Sequence, residues 1–209
     1  VVTSGLRAYY DFDDGTYADR VGEFRITPFS TSISNDSPTN VGRSVSFEGS
    51  NSFLQIGENP IQNLNENIID ATFNFWIKSS NPTGVLFALP FKDDDNSNRF
   101  FNGFSEGAVV HSIVNNCGVD NKFGEFEIDL SQSIFNFEWH MLTLTYDGST
   151  KSVTLYFDGN KISTDSYETG NNDCPLFVID SETLRIGGDY QSSGITLDNY
   201  EGRIDNIRI

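Results

Sequence analysis

The sequence predicts an all-β protein built as a two-sheet antiparallel β-sandwich. Three observations lead there. Apolar and polar residues alternate with period two along almost every segment, the pattern of half-buried strands. Turn residues recur at short spacing, dividing the 209 residues into roughly 12 to 14 candidate strands. The chain also carries 18 Phe and 8 Tyr, residue types that favour a pleated, half-buried surface. A length of 209 residues suits one large domain spanning residues 1–209.

The elements follow in order. GLRAYYDF reads as the first strand. RSVSFEG and SFLQIG read as a hairpin pair, with Val45 and Phe47 on one face and a Gly49-Ser50-Asn51 turn between them. IQNLNENIID, from Ile61 to Asp70, is the best helical candidate, at one or two turns. ATFNFWIKS sets Phe73 and Phe75 against Thr72, Asn74 and Trp76, and GVLFALPF reads as a buried strand. After the polar turn KDDDNSNRF come FFNGF, GAVVHSIV and KFGEFEIDL. The stretch from His140 to Ile162 is a meander: Leu142, Leu144 and Tyr146 share one face, and Asp158-Gly159 turns the next strand pair. Gly takes positive φ there without strain and Asp bonds its own backbone. TLRIGGDY and GRIDNIRI close the chain. Both ends read as strands, so they are expected to pair in one sheet, and the chain is expected to be a module of a longer exported protein.

A net charge of −17 repels phosphate backbones and anionic membranes, which argues strongly against nucleic acid. It also argues against highly sulfated polymers over a broad face. No apolar run reaches the length needed to span a bilayer, so this module is not expected to insert into a membrane. Cys117 and Cys174 both lie in loop-like Asn/Asp/Gly/Pro-rich segments, without the close partners of a zinc site. They read as a disulfide, which would imply export, or alternatively as two free thiols.

WHMLTLTYDGSTKSVTLYFDGNKI resembles the signature of laminin-G-like, concanavalin A-like jelly-roll modules. YYDFDDGTYADRVG, GRSVSFEGSNSFLQIG, TFNFWIKS, LRIGGDY and YEGRIDNIRI resemble the family's other strands, in the expected order. The resemblance covers nearly the whole chain and is weakest between residues 82 and 133. It implies a jelly-roll fold, but lectins, hydrolases, lyases and adhesion modules all share that fold. It also implies structural roles for Trp76, Trp139 and His140. Such modules often hold one calcium near the paired termini. Asp13 and Asp19 of the first loop and Asp205 of the last strand stand where that structural site would form.

A catalytic reading rests on EIDLSQ, residues 127–132, which resembles the Glu-x-Asp-x-(x)-Glu strand of family 16 glycoside hydrolases. Glu127 and Asp129 match, but Ser131 or Gln132 stands where the second glutamate belongs, and neither can give and recover a proton as a carboxylate does. A solvated strand face explains these residues better, so no catalytic residue is assigned. Glycan recognition needs an aromatic platform with amide and carboxylate hydrogen bonds. Asp95, Asn96, Asn98, Arg99 and Phe100 form one candidate group, and Asp189, Tyr190 and Gln191 another. The expectation is a non-catalytic carbohydrate-binding module of a secreted or cell-surface protein, with a glycan or polysaccharide as partner. The alternative is an adhesion module that contacts another protein. A glycoside hydrolase or polysaccharide lyase domain ranks third.

Overall fold

The structure is a computed structural model, which describes residues 5–49, 51–57, 70–89, 99–105, 108–115, 122–129, 135–147, 149–150, 152–166, 183–188 and 199–209. Within residues 89, 99–105, 108–115, 122–129 and 165–166 it describes the backbone alone. Fifteen strands are described, and all of their pairings are antiparallel.

The first sheet contains β1 (Tyr9–Tyr10), β3 (Thr31–Ser34), β4 (Ser44–Glu48), β6 (Asp70–Lys78), β11 (His140–Asp147), β12 (Ser152–Phe157), β13 (Asn160–Ser166) and β15 (Glu201–Arg208). Its order is β13-β12-β11-β6-β15-β4-β3, and β1 also pairs with β15. The second sheet contains β2 (Ile26–Phe29), β5 (Phe53–Ile56), β7 (Gly84–Leu89), β8 (Arg99–Ser105), β9 (Ala108–Asn115), β10 (Lys122–Asp129) and β14 (Leu184–Ile186). Its order is β10-β9-β8-β7-β14-β5-β2.

The inward faces are those the alternation marks. Phe73, Phe75 and Ile77 of β6, Leu142, Leu144 and Tyr146 of β11, and Val153 and Leu155 of β12 are buried together. Leu54, Ile56, Leu86, Phe87, Leu184 and Ile186 meet them from the second sheet. Phe87 stacks on Phe73 with centroids 4.4 Å apart and on Phe75 at 5.6 Å, so aromatic rings bridge the two layers. Burying each such ring contributes about 2–3 kcal/mol. Close packing also dictates Gly187 (φ 82°), where a Cβ would stand 2.4 Å from the Phe47 ring.

The meander from β11 to β13 forms as expected. Asp158 (φ 47°) and Gly159 (φ 77°) make the positive-φ turn that joins β12 to β13. The termini meet as well: Tyr9 pairs with Arg208 and Tyr10 with Ile207. One expectation is corrected. RSVSFEG and SFLQIG do not pair, because β4 joins β3 and β15 in one sheet while β5 joins β2 and β14 in the other. The Gly49–Asn51 turn therefore carries the chain between layers, and each strand buries its apolar face from an opposite side. In the helical candidate, Asp70 opens β6; residues 61–69 lie outside the described residues. Strands β2 and β3 had no clear alternation to announce them. β2 contains Pro28, which an edge strand tolerates because no further neighbour needs its N–H.

Candidate functional site

Of the sequence-predicted glycan residues, Asp95, Asn96, Asn98, Asp189, Tyr190 and Gln191 lie outside the described residues, as do Cys117 and Cys174. Arg99 and Phe100 open β8, where they pair with Val114 and Ile113 of β9. Glu127 and Asp129 belong to β10, at an edge of the second sheet.

The side of the first sheet turned away from the core shows how side chains combine across strands. Pairing places Tyr156 beside Thr143, Thr143 beside Asn74, Asn74 beside Arg208, and Arg208 beside Tyr9. This row crosses five strands, which at the ordinary strand spacing is about 19 Å. Hydrogen bonds join most of it. The Asn74 amide donates to Thr143 Oγ1 at 2.6 Å, and Arg208 Nη1 donates to Asn74 Oδ1 at 3.2 Å. Arg208 Nη2 donates to Asn206 Oδ1 at 3.1 Å and to the Tyr9 hydroxyl at 3.4 Å. Tyr9 donates in turn to Asn206 Oδ1 at 2.8 Å, and the guanidinium lies 4.6 Å from the centre of its ring.

Rows on either side extend this face. Thr72, Thr145, Thr154 and Thr164 are cross-strand neighbours, the last two bonded through their hydroxyls at 2.7 Å. On the other side Met141, Trp76 and Asp205 stand abreast. Trp76, Met141, Thr143, Tyr156, Asn74 and Arg208 are all half-buried, as expected of a face that is packed but open.

A bulge in β15 makes the middle row possible. Asp205 pairs with Trp76 and Arg208 with Asn74, so two residues of β15 oppose the single Phe75 of β6. Asn206 takes up the extra residue at φ 50°. Without it, strict alternation would turn Arg208 into the core.

Beyond Trp76, the Asp36 carboxylate reaches over the sheet. Its Oδ2 meets Lys78 Nζ at 2.9 Å and Arg203 Nη1 at 2.6 Å, while Oδ1 accepts the Trp139 indole N–H at 2.8 Å. Burial pushes the Asp36 carboxyl up, but the Lys78 and Trp139 hydrogen bonds and the two cations outweigh it, and it sits below its ordinary value. Both cations also lie over the Phe137 ring, at 4.9 and 5.3 Å. Trp139 therefore has the structural role expected of it. So does His140, whose Nδ1 pairs with Asp158 Oδ2 at 2.8 Å and ties the hairpin turn to β11.

Each of the three aspartates expected at a metal site accepts at least one backbone amide. Asp19 braces the first loop: Oδ1 accepts the amides of Tyr9 and Val21, and Oδ2 that of Phe24. Asp13 Oδ1 accepts the Arg43 amide at 3.2 Å. Asp205 is buried, and Oδ1 accepts the Asn206 amide at 2.6 Å. Burial, with a smaller push from the charges of Asp13 and Asp11, raises the Asp205 carboxyl from 3.8 to about 7. Among the described residues no three His, Cys, Asp or Glu side chains gather closely enough to hold a metal by themselves.

An open groove of 890 Å³ lies elsewhere, lined by residues that include Tyr17, Asp19, Phe24, Arg25 and Ile26. The Asp19 carboxylate there is already engaged by three amides. The sequence reading missed Asn74, Thr143, Tyr156, Arg208 and Tyr9 as a group. Their signal was the outward half of each alternating strand, which had been read only for the core it implied.

The sequence pattern of the concanavalin A-like lectin/glucanases superfamily matches residues 48–209, and the chain belongs to that superfamily. No curated protein matches it in sequence. Solved structures share its fold at low identity. Domain 4 of AbnA, a GH43 extracellular arabinanase from Geobacillus stearothermophilus in complex with arabinotriose, is 14% identical with a TM-score of 0.64. That match covers 97% of this chain and 90% of that one. A botulinum neurotoxin type C structure, whose cell entry depends on two ganglioside molecules, is 13% identical at TM-score 0.68, covering 98% of this chain and 47% of that one. The binding domain of botulinum neurotoxin DC, in complex with rat synaptotagmin II, is 14% identical at TM-score 0.65, covering 100% and 48%. The chain thus spans about half the length of these neurotoxin structures.

Proposed function

We propose that this member of the superfamily is a non-catalytic carbohydrate-binding module that takes an extended glycan across the outer face of its first sheet. The observation that carries the reading is the row from Tyr156 to Tyr9, hydrogen-bonded from Thr143 onward, with Trp76 and Met141 alongside. Hydroxyl, amide and guanidinium groups held in fixed positions match the alternating donors and acceptors of sugar hydroxyls. The indole and phenol rings supply apolar surface for sugar C–H faces. A row of about 19 Å is long enough for several sugar units. The arabinotriose complex of domain 4 of AbnA adds support by analogy of fold. The substitution at Ser131 and Gln132 supports the non-catalytic reading. A secreted or cell-surface setting fits this role.

One structural calcium belongs to the same proposal. Asp205 fits a cation: its carboxylate is buried, has the Asn206 amide as its hydrogen-bond donor, and feels Asp13 and Asp11 nearby. Calcium would take Asp205 and Asp13 together with loop carbonyls and water, offsetting the burial of charge. Asp19 would brace the loop that carries them.

The protein-contact alternative has one feature in its favour. Phe29, partly exposed at the edge of the second sheet, stacks on Phe53 at 4.5 Å, and Arg185 lies over the Phe53 ring at 4.3 Å. A glycan array probed with wild type, Trp76→Ala and Phe29→Ala separates the two. Defined hits that Trp76→Ala abolishes and Phe29→Ala preserves support the sheet-face reading. A blank array with every variant folded overturns it.

A further inference from the structure

We infer that the glycan is acidic, with the carboxylate of a uronic acid unit read by Arg208; this rests on the sheet-face reading above. Several features of that face point to an anion. The chain carries 30 Asp and Glu against 13 Lys and Arg, yet the row from Tyr156 to Tyr9 contains no carboxylate. In the two flanking rows the one acid is Asp205, which is buried. Acids stand only at the margins: Asp158 beside Met141, Asp70 opposite Asp147 past the threonine row, and Asp11 and Asp13 within electrostatic reach of Tyr9.

Arg208 itself is prepared for an anion. Its guanidinium contacts only neutral acceptors: Asn74 Oδ1, Asn206 Oδ1, the Asn206 carbonyl at 3.4 Å and the Tyr9 hydroxyl. It forms no ion pair with any described residue. The contrast with Arg203 is direct, since Arg203 already meets the Asp36 carboxylate at 2.6 Å. The Arg208 contacts, at 3.1 to 3.4 Å, are longer than charge-assisted hydrogen bonds. They orient the planar fork but leave its charge uncompensated, so an incoming carboxylate can take over donor positions and gain a charge-assisted pair. Tyr9 stacking holds the plane of the fork from one side. Lys78 and Arg203, beyond Trp76, put two cations on the opposite flank with only Asp36 between them.

A carboxylate fits better than a sulfated chain. One uncompensated guanidinium answers one charge at a defined place on a sugar. A densely sulfated polymer would bring many anions against a protein of net charge −17.

The test is calorimetric titration with oligogalacturonate and with the same oligosaccharide fully methyl-esterified, which removes the charge and keeps the sugar. Wild type should bind the acid about tenfold or more tightly than the ester, and added salt should shrink that ratio. Arg208→Gln should bring the ratio to about one, whatever it does to absolute affinity, and Arg208→Lys should keep only part of it. Circular dichroism checks that each variant is folded. Equal wild-type affinity for acid and ester overturns the acidic-ligand inference and leaves the carbohydrate reading standing. Binding of a heparin-type sulfated oligosaccharide in preference to the uronate also overturns it. If wild type binds neither of the galacturonate probes nor any glycan on the array, both readings fall.

Discussion

Asp36 and Asp205 both bear on the outer face of the first sheet, and their surroundings are opposite. Asp36 accepts two cations and an indole N–H, which hold its carboxyl below the usual value despite burial. Asp205 stands on the same strand as Arg208, three residues away, yet forms no ion pair with it; its carboxyl is raised to about 7. The bulge at Asn206 separates them, turning the guanidinium toward Asn74 and Tyr9. At one corner the carboxylate is fully engaged by the protein's own cations, and the corner reads as structural. The other keeps a buried acid and an unpaired cation apart, and it is there that the proposed calcium and ligand carboxylate would complete the electrostatics.

The largest expected effect tests the Asp205 side. A carboxyl raised in the folded state binds its proton more tightly than in the unfolded chain. Its stabilisation is therefore present below about pH 4 and is lost as pH rises toward about 7. At neutral pH without divalent cations, Asp205→Asn should be more stable than wild type by up to about 4 kcal/mol. Urea titrations should show the difference closing below about pH 4. An unchanged pH slope in the variant would mean that the group is not Asp205. Calcium should raise the melting temperature of wild type and not of the variant.

The opposite outcome is expected at the other corner. Asp36→Ala leaves Lys78 and Arg203 with no shared carboxylate and should cost about 2 kcal/mol, less than a fully buried pair because all three groups are partly solvated. A cost near zero in urea unfolding would show that the corner is not structural. Trp139→Phe, which removes the indole N–H donated to Asp36 together with part of the ring, should cost about 1 kcal/mol by the same measurement. Arg208→Gln should be the mildest of the four, at less than about 1 kcal/mol, because its partners are neutral and solvent can replace it. A much larger loss there would make Arg208 part of the scaffold and remove the contrast between the corners.

The sequence carried the core faces of β6, β11 and β12 plainly, because a buried strand face repeats every second residue and Phe73, Phe75, Leu142 and Leu144 mark it locally. The Asp158-Gly159 turn was equally legible, since positive φ restricts residue choice. The sheet assignment of β4 and β5 was not. A four-residue connection looks alike whether it closes a hairpin or passes between layers, and only the long-range partners β15 and β14 decide it. The glycan residues chosen from loops followed composition, which marks polarity without marking neighbours. The role of Asp36 was equally hidden, because its partners Lys78, Trp139 and Arg203 lie 42, 103 and 167 positions away.

By itself, then, the sequence determined the all-β class, the inward faces, the turns and the pairing of the two ends, all of which follow from local periodicity and backbone preference. Only the tertiary structure decided which outward residues stand side by side. Tyr156, Thr143, Asn74, Arg208 and Tyr9 come from five strands, and nothing in their sequence spacing joins them. Cross-strand register sets that row, and a single extra residue at Asn206 points Arg208 outward. Register is a property of paired strands, so a surface assembled across five of them exists only once the sheet has formed.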